Sequence, residues 1–339
     1  CTITDKISQV THQLPPSRGS LVIGARACRI VRMGVGSRLE RAKPREQAMF
    51  KGSFPALITP MKDGSVDEDS FKSFVDWQIN EGSDGVVPCG TTGESPTLSH
   101  EEHMQVTEMC VEVAKGRVPV IAGTGSNSTI EAIMLTQHAE KAGADAALVV
   151  TPYYNKPTQE GMYQHFKAIH DDTELPIIIY NIPGRSVVDI SVNTMARLAE
   201  LPNIIGVKDA TQDLARPMLT RLAVKGDFCL LSGEDGTAVP FLAGGGNGCI
   251  SVTANVAPRQ CSDMQRAWRE GDLDSCMELQ DRLMPLHSAL FCETSPGPVK
   301  YAASLLGKCT PEARLPIIEI AELSKAKVKE AMVGAGLLN

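Results

Sequence analysis

The 339-residue sequence contains no Cys-x-x-Cys pair, no His-Glu-x-x-His, no EF-hand loop and no apolar run long enough to span a bilayer. The first three absences remove the short motifs of zinc, calcium and dithiol chemistry, so no metal site and no cofactor is expected. The fourth excludes a membrane-spanning helix as a reading of this sequence. The ten cysteines, at 1, 28, 89, 110, 229, 249, 261, 276, 292 and 309, are scattered, and several lie in apolar runs, as Cys229 does in FCLL. They read as reduced, buried thiols of a cytoplasmic protein.

Basic character is also scarce outside one segment. The net charge is −7, but residues 1–48 carry nine Lys/Arg against three Asp/Glu, so the remainder carries −7 − 6 = −13. An acidic body is a poor match for nucleic acid. Residues 1–48 show neither helical nor strand periodicity and contain Pro15 and Pro16. They read as an irregular extension upstream of a native start at Met49, the alternative being an organellar transit peptide.

From residue 50 onward, eight short apolar runs recur with helical stretches between them: FPALITP (54–60), DGVVPC (84–89), VPVIAG (118–123), DAALVVT (145–151), PIIIYN (176–181), NIIGVK (203–208), FCLLS (228–232) and GCISV (248–252). Their unbroken apolar character suits parallel strands buried on both faces. Between them, Ser99-x-x-Glu102 reads as a capping box before Val106, Met109, Cys110 and Val113. Ser65-x-x-Glu68 reads the same way before Phe71, Phe74 and Val75. Eight such units predict a (β/α)8 TIM barrel over 49–257, with a final barrel helix and further C-terminal helices over 258–339.

A barrel gathers function at the C-terminal ends of its strands. Those ends carry Thr59, residues 90–94 (GTTGE), Gly123-Thr124-Gly125, Tyr153-Tyr154, Tyr180-Asn181, Lys208-Asp209, Ser232-Gly233-Glu234 and Ser251. Lys208 is the only lysine or arginine within the eight runs. A free lysine is neutral in only about one part in 2,500 at pH 7, and apolar walls are the usual means of making such an amine nucleophilic. Tyr180 ends the preceding strand and should face the same mouth, where a phenol relayed through the Thr92 hydroxyl, and extended by Tyr154, can move the protons of imine formation. The two glycines around Thr91 and Thr92 let backbone N–H groups approach a carboxylate. Arg185, on the loop after the fifth run, offers a bidentate clamp for a second carboxylate. The GGGNG run at 244–248 precedes the eighth strand and so reads as a tight turn at the opposite face.

GTTGE at 90–94, TPYYNKPTQEG at 151–161, YNIPGR at 180–185 and GVKDAT at 206–211, with SVTANVAPR at 251–259 and RLMPLH at 282–287, together resemble the 4-hydroxy-tetrahydrodipicolinate synthase (dihydrodipicolinate synthase) family from about Met49 almost to the C-terminus. The resemblance implies a lyase of the class I aldolase type, acting in lysine biosynthesis by the diaminopimelate route. In it, Lys208 forms a Schiff base with pyruvate, which attacks L-aspartate-4-semialdehyde. Tyr180 would be the proton donor and acceptor, with Thr92 and Tyr154 completing the relay and Tyr154 reaching across a tight dimer interface. Thr91 and Thr92, assisted by Gly233 and the Ile250 carbonyl, would hold the pyruvate carboxylate, and Arg185 that of the semialdehyde. The resemblance also implies a homotetramer built as a dimer of dimers, and a lysine effector site matching Ser95, Pro96, His100, His103, Asn127, Glu131 and Tyr153. Lys208 is followed by Asp209 where the family more often has Glu, Arg185 by Ser186 where Thr is usual, and Pro96 stands where lysine-sensitive members commonly carry a smaller residue. N-Acetylneuraminate lyases and keto-deoxy-sugar-acid aldolases share the lysine, the tyrosine and the GTTGE-type turn. Arg185 and the paired Tyr153 and Tyr154 favour the semialdehyde.

Overall fold

The computed structural model describes residues 50–339, and the expected extension over 1–48 lies outside the described residues. Seven strands form one parallel sheet: β1 (Gly52–Pro55), β4 (Ile121–Gly123), β5 (Ala146–Val150), β6 (Ile177–Asn181), β7 (Ile204–Asp209), β8 (Cys229–Ser232) and β9 (Gly248–Ser251). A two-stranded hairpin, β2 (Met61–Lys62) and β3 (Ser65–Val66), stands apart from it. The sheet order is β1-β9-β8-β7-β6-β5-β4, which leaves a gap between β4 and β1. Val86 and Val87 fill that gap, bridging in parallel to Val120 on one side and Ala56 on the other. The eight segments therefore close into a (β/α)8 barrel, with no free sheet edge to blunt.

The run expected as the second strand (84–89) is reduced to those bridges. Pro88 has no N–H to give a ladder, and Cys89 lies at φ 55, so the backbone leaves extended geometry just past Val87. The expected Ser65 capping box is also absent. Ser65 belongs to β3, and the helix Glu68–Asn80 is capped by Asp67, whose carboxylate accepts from the Ser70 N–H at 3.1 Å. Ser99, in contrast, does cap the helix His100–Ala114, and Glu102 closes the box.

The barrel interior is one cluster, including Phe54, Val87, Ile121, Leu148, Ile178, Tyr180, Leu231 and Ile250. Outward-facing residues such as Val149, Ile177, Ile179 and Val207 pack instead beneath the surrounding helices. Every position is thus buried on one face or the other, which is why the strands read as continuous apolar runs; burying each such side chain is worth about 1.5–3 kcal/mol. Four further helices follow the last strand, Pro258–Glu270, Leu273–Ala289, Gly297–Leu305 and Glu322–Gly334. Before β9, Gly245 at φ +99 makes the GGGNG run a tight turn, closed by Asn247, whose N–H donates to the Leu230 carbonyl at 2.7 Å.

Candidate active site

β6 and β7 run parallel with Tyr180 opposite Lys208, so both side chains leave the same face at the C-terminal end of the barrel. Both are only 6% exposed. The Lys208 Nζ lies 4.1 Å from the centre of the Tyr180 ring, a cation–π contact in place of an ion pair. A lysine held this way is shielded from bulk water and makes no ion pair among the described residues. Gly233 follows β8 and closes a third side. A Cβ there would stand 3.1 Å from the Lys208 Cε and 2.8 Å from the Ala210 Cβ, so the lysine needs glycine as its neighbour. The Gly233 N–H is committed to the Asp209 carbonyl at 2.7 Å. Ile250 packs in the same interior cluster as Tyr180. Beyond Gly233, burial pushes the Glu234 carboxyl above the usual range, against the opposing charge of Lys208.

The GTTGE turn is pinned at both ends and open in the middle. The Gly93 and Ser95 N–H groups donate to the Gly90 carbonyl, and the Thr59 hydroxyl donates to the Gly93 carbonyl at 2.8 Å. Among the described residues the Thr91 and Thr92 amides donate to nothing, which leaves two adjacent donors for an anion. Glu94, at φ 58, turns its carboxylate inward to the fully buried Lys300 at 2.5 Å and to the Arg314 N–H at 2.8 Å. Lys300 also donates to the Thr59 carbonyl at 3.0 Å, and burial holds its ammonium below the usual lysine range. Sequence reasoning missed this pair. Its signal was a single charge in the otherwise uncharged helix GPVKYAASL.

Arg185 sits in the one-turn helix Pro183–Ser186 after β6, exposed and with no ion pair among the described residues. Tyr154 is not brought to Lys208 within the chain. It is 87% exposed, with its backbone in the left-handed region at φ 72. Behind the β9 end, the Asp235 carboxylate accepts from the Ser251 hydroxyl and from the Val252 N–H at 2.8 Å, and Thr253 meets His287 at 2.7 Å. The 251–259 and 282–287 motifs are therefore joined in one buried network.

Of the residues expected at an effector site, His100 and Glu131 meet at 2.5 Å, and Glu131 also accepts from Ser126. The Asn127 carbonyl accepts from Asn155 at 2.9 Å, which ties it to the loop of the half-buried Tyr153. His103 is buried with no partner on Nδ1, and burial holds its imidazole down at about 4. Ser95 and Pro96 form the short 3-10 turn just ahead of this helix.

The chain is 67% identical over 290 residues to the 4-hydroxy-tetrahydrodipicolinate synthase of Rhodospirillum centenum, covering 86% of this chain and all of that protein. The solved structure of a chloride-inhibited dihydrodipicolinate synthase from Acinetobacter baumannii in complex with pyruvate is 48% identical, covers 85% of this chain and 100% of that one, and superposes with a TM-score of 0.83. A synthase from Cyanidioschyzon merolae, solved with lysine bound, is 38% identical over 86% of this chain and 99% of its own, also with a TM-score of 0.83. The family model described as the dihydrodipicolinate synthetase family matches residues 49–334, and the chain belongs to that family.

Proposed function

We propose that the chain condenses pyruvate with L-aspartate-4-semialdehyde through a Schiff base on Lys208. The observation that carries this reading is the buried amine of Lys208, in register with Tyr180 and in no ion pair among the described residues. The neutral Nζ adds to the pyruvate carbonyl carbon, and the carbonyl oxygen takes a proton from the Tyr180 phenol. The nitrogen returns a proton to the Tyr180 phenolate, and with that second proton the oxygen leaves as water, giving the imine. Removal of a methyl proton then gives an enamine, whose carbon attacks the semialdehyde's aldehyde carbon, the aldehyde oxygen taking up a proton; the semialdehyde's own amino group then displaces Lys208 Nζ from the imine carbon, which frees the lysine.

The unpartnered Thr91 and Thr92 amides suit the pyruvate carboxylate, Gly233 and the Ile250 carbonyl border it, and the Thr92 hydroxyl completes the proton path from Tyr180. The unpaired Arg185 suits the carboxylate of the semialdehyde. Tyr154, strained and turned outward, is assigned to the neighbouring subunit's site across a tight dimer, two of which form a tetramer. Ser95, Pro96, His100, His103, Asn127, Glu131 and Tyr153 are assigned to lysine as effector; Glu131 can meet its ammonium. The described cysteines are free, in keeping with a cytoplasmic setting, and no described helix is long and apolar enough to cross a membrane.

A turnover assay coupled to the next, reductive step, with pyruvate and aspartate-semialdehyde and repeated with added lysine, tests the reading. Saturable turnover that requires both substrates is expected. Cleavage of N-acetylneuraminate or a keto-deoxy-sugar acid to an aldehyde and pyruvate, read as pyruvate release, would reassign the second substrate.

A further inference from the structure

The loop that carries Arg185 contains a strained residue, and an ion pair reaches that loop from the start of a neighbouring helix. Val187, directly after the one-turn helix Pro183–Ser186, lies at φ 65 and is 63% exposed. A β-branched residue in the left-handed region is strained, and a side chain exposed to this degree gains little packing to offset that. Such strain persists only where the surroundings over-determine the backbone, and here the constraints can be named.

The Ser186 hydroxyl lies within reach of the Ile182 and Val188 carbonyls at 2.9 and 3.0 Å, bracketing Val187. Asp189, two residues on, accepts from the Asn181 amide at 2.7 Å, closing the loop back onto the end of β6. Arg216 then grips Asp189 with both arms, Nη1 to Oδ1 at 3.1 Å and Nη2 to Oδ2 at 2.6 Å, and also donates to the Ile190 carbonyl at 2.9 Å. Arg216 begins the helix Arg216–Ala223, which follows the loop leaving Lys208. The fork thus ties the loop bearing Arg185 to the loop after the nucleophile's strand. Gln159 reinforces it from a third element, donating to the Asp189 carbonyl at 2.7 Å.

We propose that Arg216 and Asp189 are positioning residues for the second substrate, fixing the Arg185 guanidinium where it can take the semialdehyde's carboxylate. The proposal rests on the role given to Arg185 above. A planar fork on a carboxylate sets orientation as well as distance, and misplacing a binding group by about an ångström can cost a hundredfold.

The test compares Arg216→Gln, Asp189→Asn and Arg185→Ala in the full chain, with Michaelis constants for both substrates and borohydride trapping of pyruvate on each variant. Arg216→Gln and Asp189→Asn are each expected to raise the semialdehyde constant about tenfold, leaving the pyruvate constant and the trapped adduct within about twofold. Adding Val187→Gly to Arg216→Gln should recover part of the loss, because glycine adopts the left-handed conformation without the clamp. A merely structural role for the pair would show no such rescue.

If Arg185→Ala raises the semialdehyde constant and neither clamp variant does, the clamp has no positioning role. If Arg185→Ala itself leaves that constant unchanged, the assignment of Arg185 falls and the clamp's role falls with it. A parallel rise in both substrate constants would also overturn the proposal. Should Arg216→Gln fail to fold, Asp189→Asn with and without Val187→Gly decides the matter alone, since it keeps an acceptor for Asn181 while removing the charge.

Discussion

Replacing Lys300 by Met should destabilise the protein and loosen the GTTGE turn together. The Lys300 and Glu94 side chains are 0% and 2% exposed and 2.5 Å apart. Methionine nearly fills the space but leaves the Glu94 carboxylate with only the Arg314 N–H. Breaking a buried pair from one side costs about 3–5 kcal/mol, because the remaining charge is neither solvated nor matched. At an unfolding entropy of about 2.1 cal/mol/K per residue, a fold of this size loses about 1.6 °C per kcal/mol, so the melting temperature should fall by roughly 5–8 °C. The Thr59 carbonyl loses a donor as well, and Thr59 also holds the Gly93 carbonyl, so the pyruvate Michaelis constant should rise. The double variant Glu94→Gln, Lys300→Met leaves no unmatched buried charge at this site and should melt above Lys300→Met alone. The assay is thermal denaturation followed by circular dichroism, run as a double-mutant cycle beside steady-state kinetics. Additive single and double effects, or a Lys300→Met protein that melts within about 2 °C of the parent, would refute the argument.

Gly233→Ala should lower kcat/KM for pyruvate about a hundredfold at nearly unchanged melting temperature, since the new methyl would crowd Lys208 Cε and Ala210 Cβ; a change within twofold would free Gly233 from that role. Tyr180→Phe keeps the ring beneath Lys208 and removes only the hydroxyl, so kcat should drop about 10²–10⁴-fold. Thr91→Val and Thr92→Val, compared side by side, show which hydroxyl serves the relay: a larger kcat loss in Thr91→Val would move that role from Thr92. Burial holds His103 and His165 down at about 4, below the ordinary histidine value near 6.5, so the unfolded chain binds more protons in that window. Their neutral forms stabilise the fold fully above about pH 6.5, and that contribution is lost as pH falls toward 4. Urea unfolding between pH 7 and 4.5 should show this slope, reduced in His165→Gln; an unchanged slope would exclude His165 as its source.

The fold was legible because parallel strands buried on both faces produce long apolar runs, and six of the eight runs appear as strands at nearly the expected positions, while the first strand, Gly52–Pro55, overlaps its run only at Phe54 and Pro55. Register was legible for the same reason. Tyr180 is the last residue but one of its run and Lys208 the last of its own, so their adjacency follows from two neighbouring strands ending together. The second strand was overestimated because its VVP core is apolar enough, while Pro88 and the left-handed Cys89 end the pairing early. Lys300 stayed hidden because a fully buried charge looks, in sequence, like any lysine on a helix; its partner Glu94 lies 206 residues away. The Arg216 fork is also non-local, joining a helix start to a loop position 27 residues away. Tyr154 could be read as functional from its neighbours, but its strained, outward backbone appears only in three dimensions.

The most direct test of the central claim is borohydride reduction in the presence of pyruvate, followed by intact-mass measurement and peptide mapping. One reduced pyruvate per chain is expected, located on Lys208 and absent from Lys208→Ala. An unmodified wild-type chain, or an adduct that persists in Lys208→Ala, would contradict it.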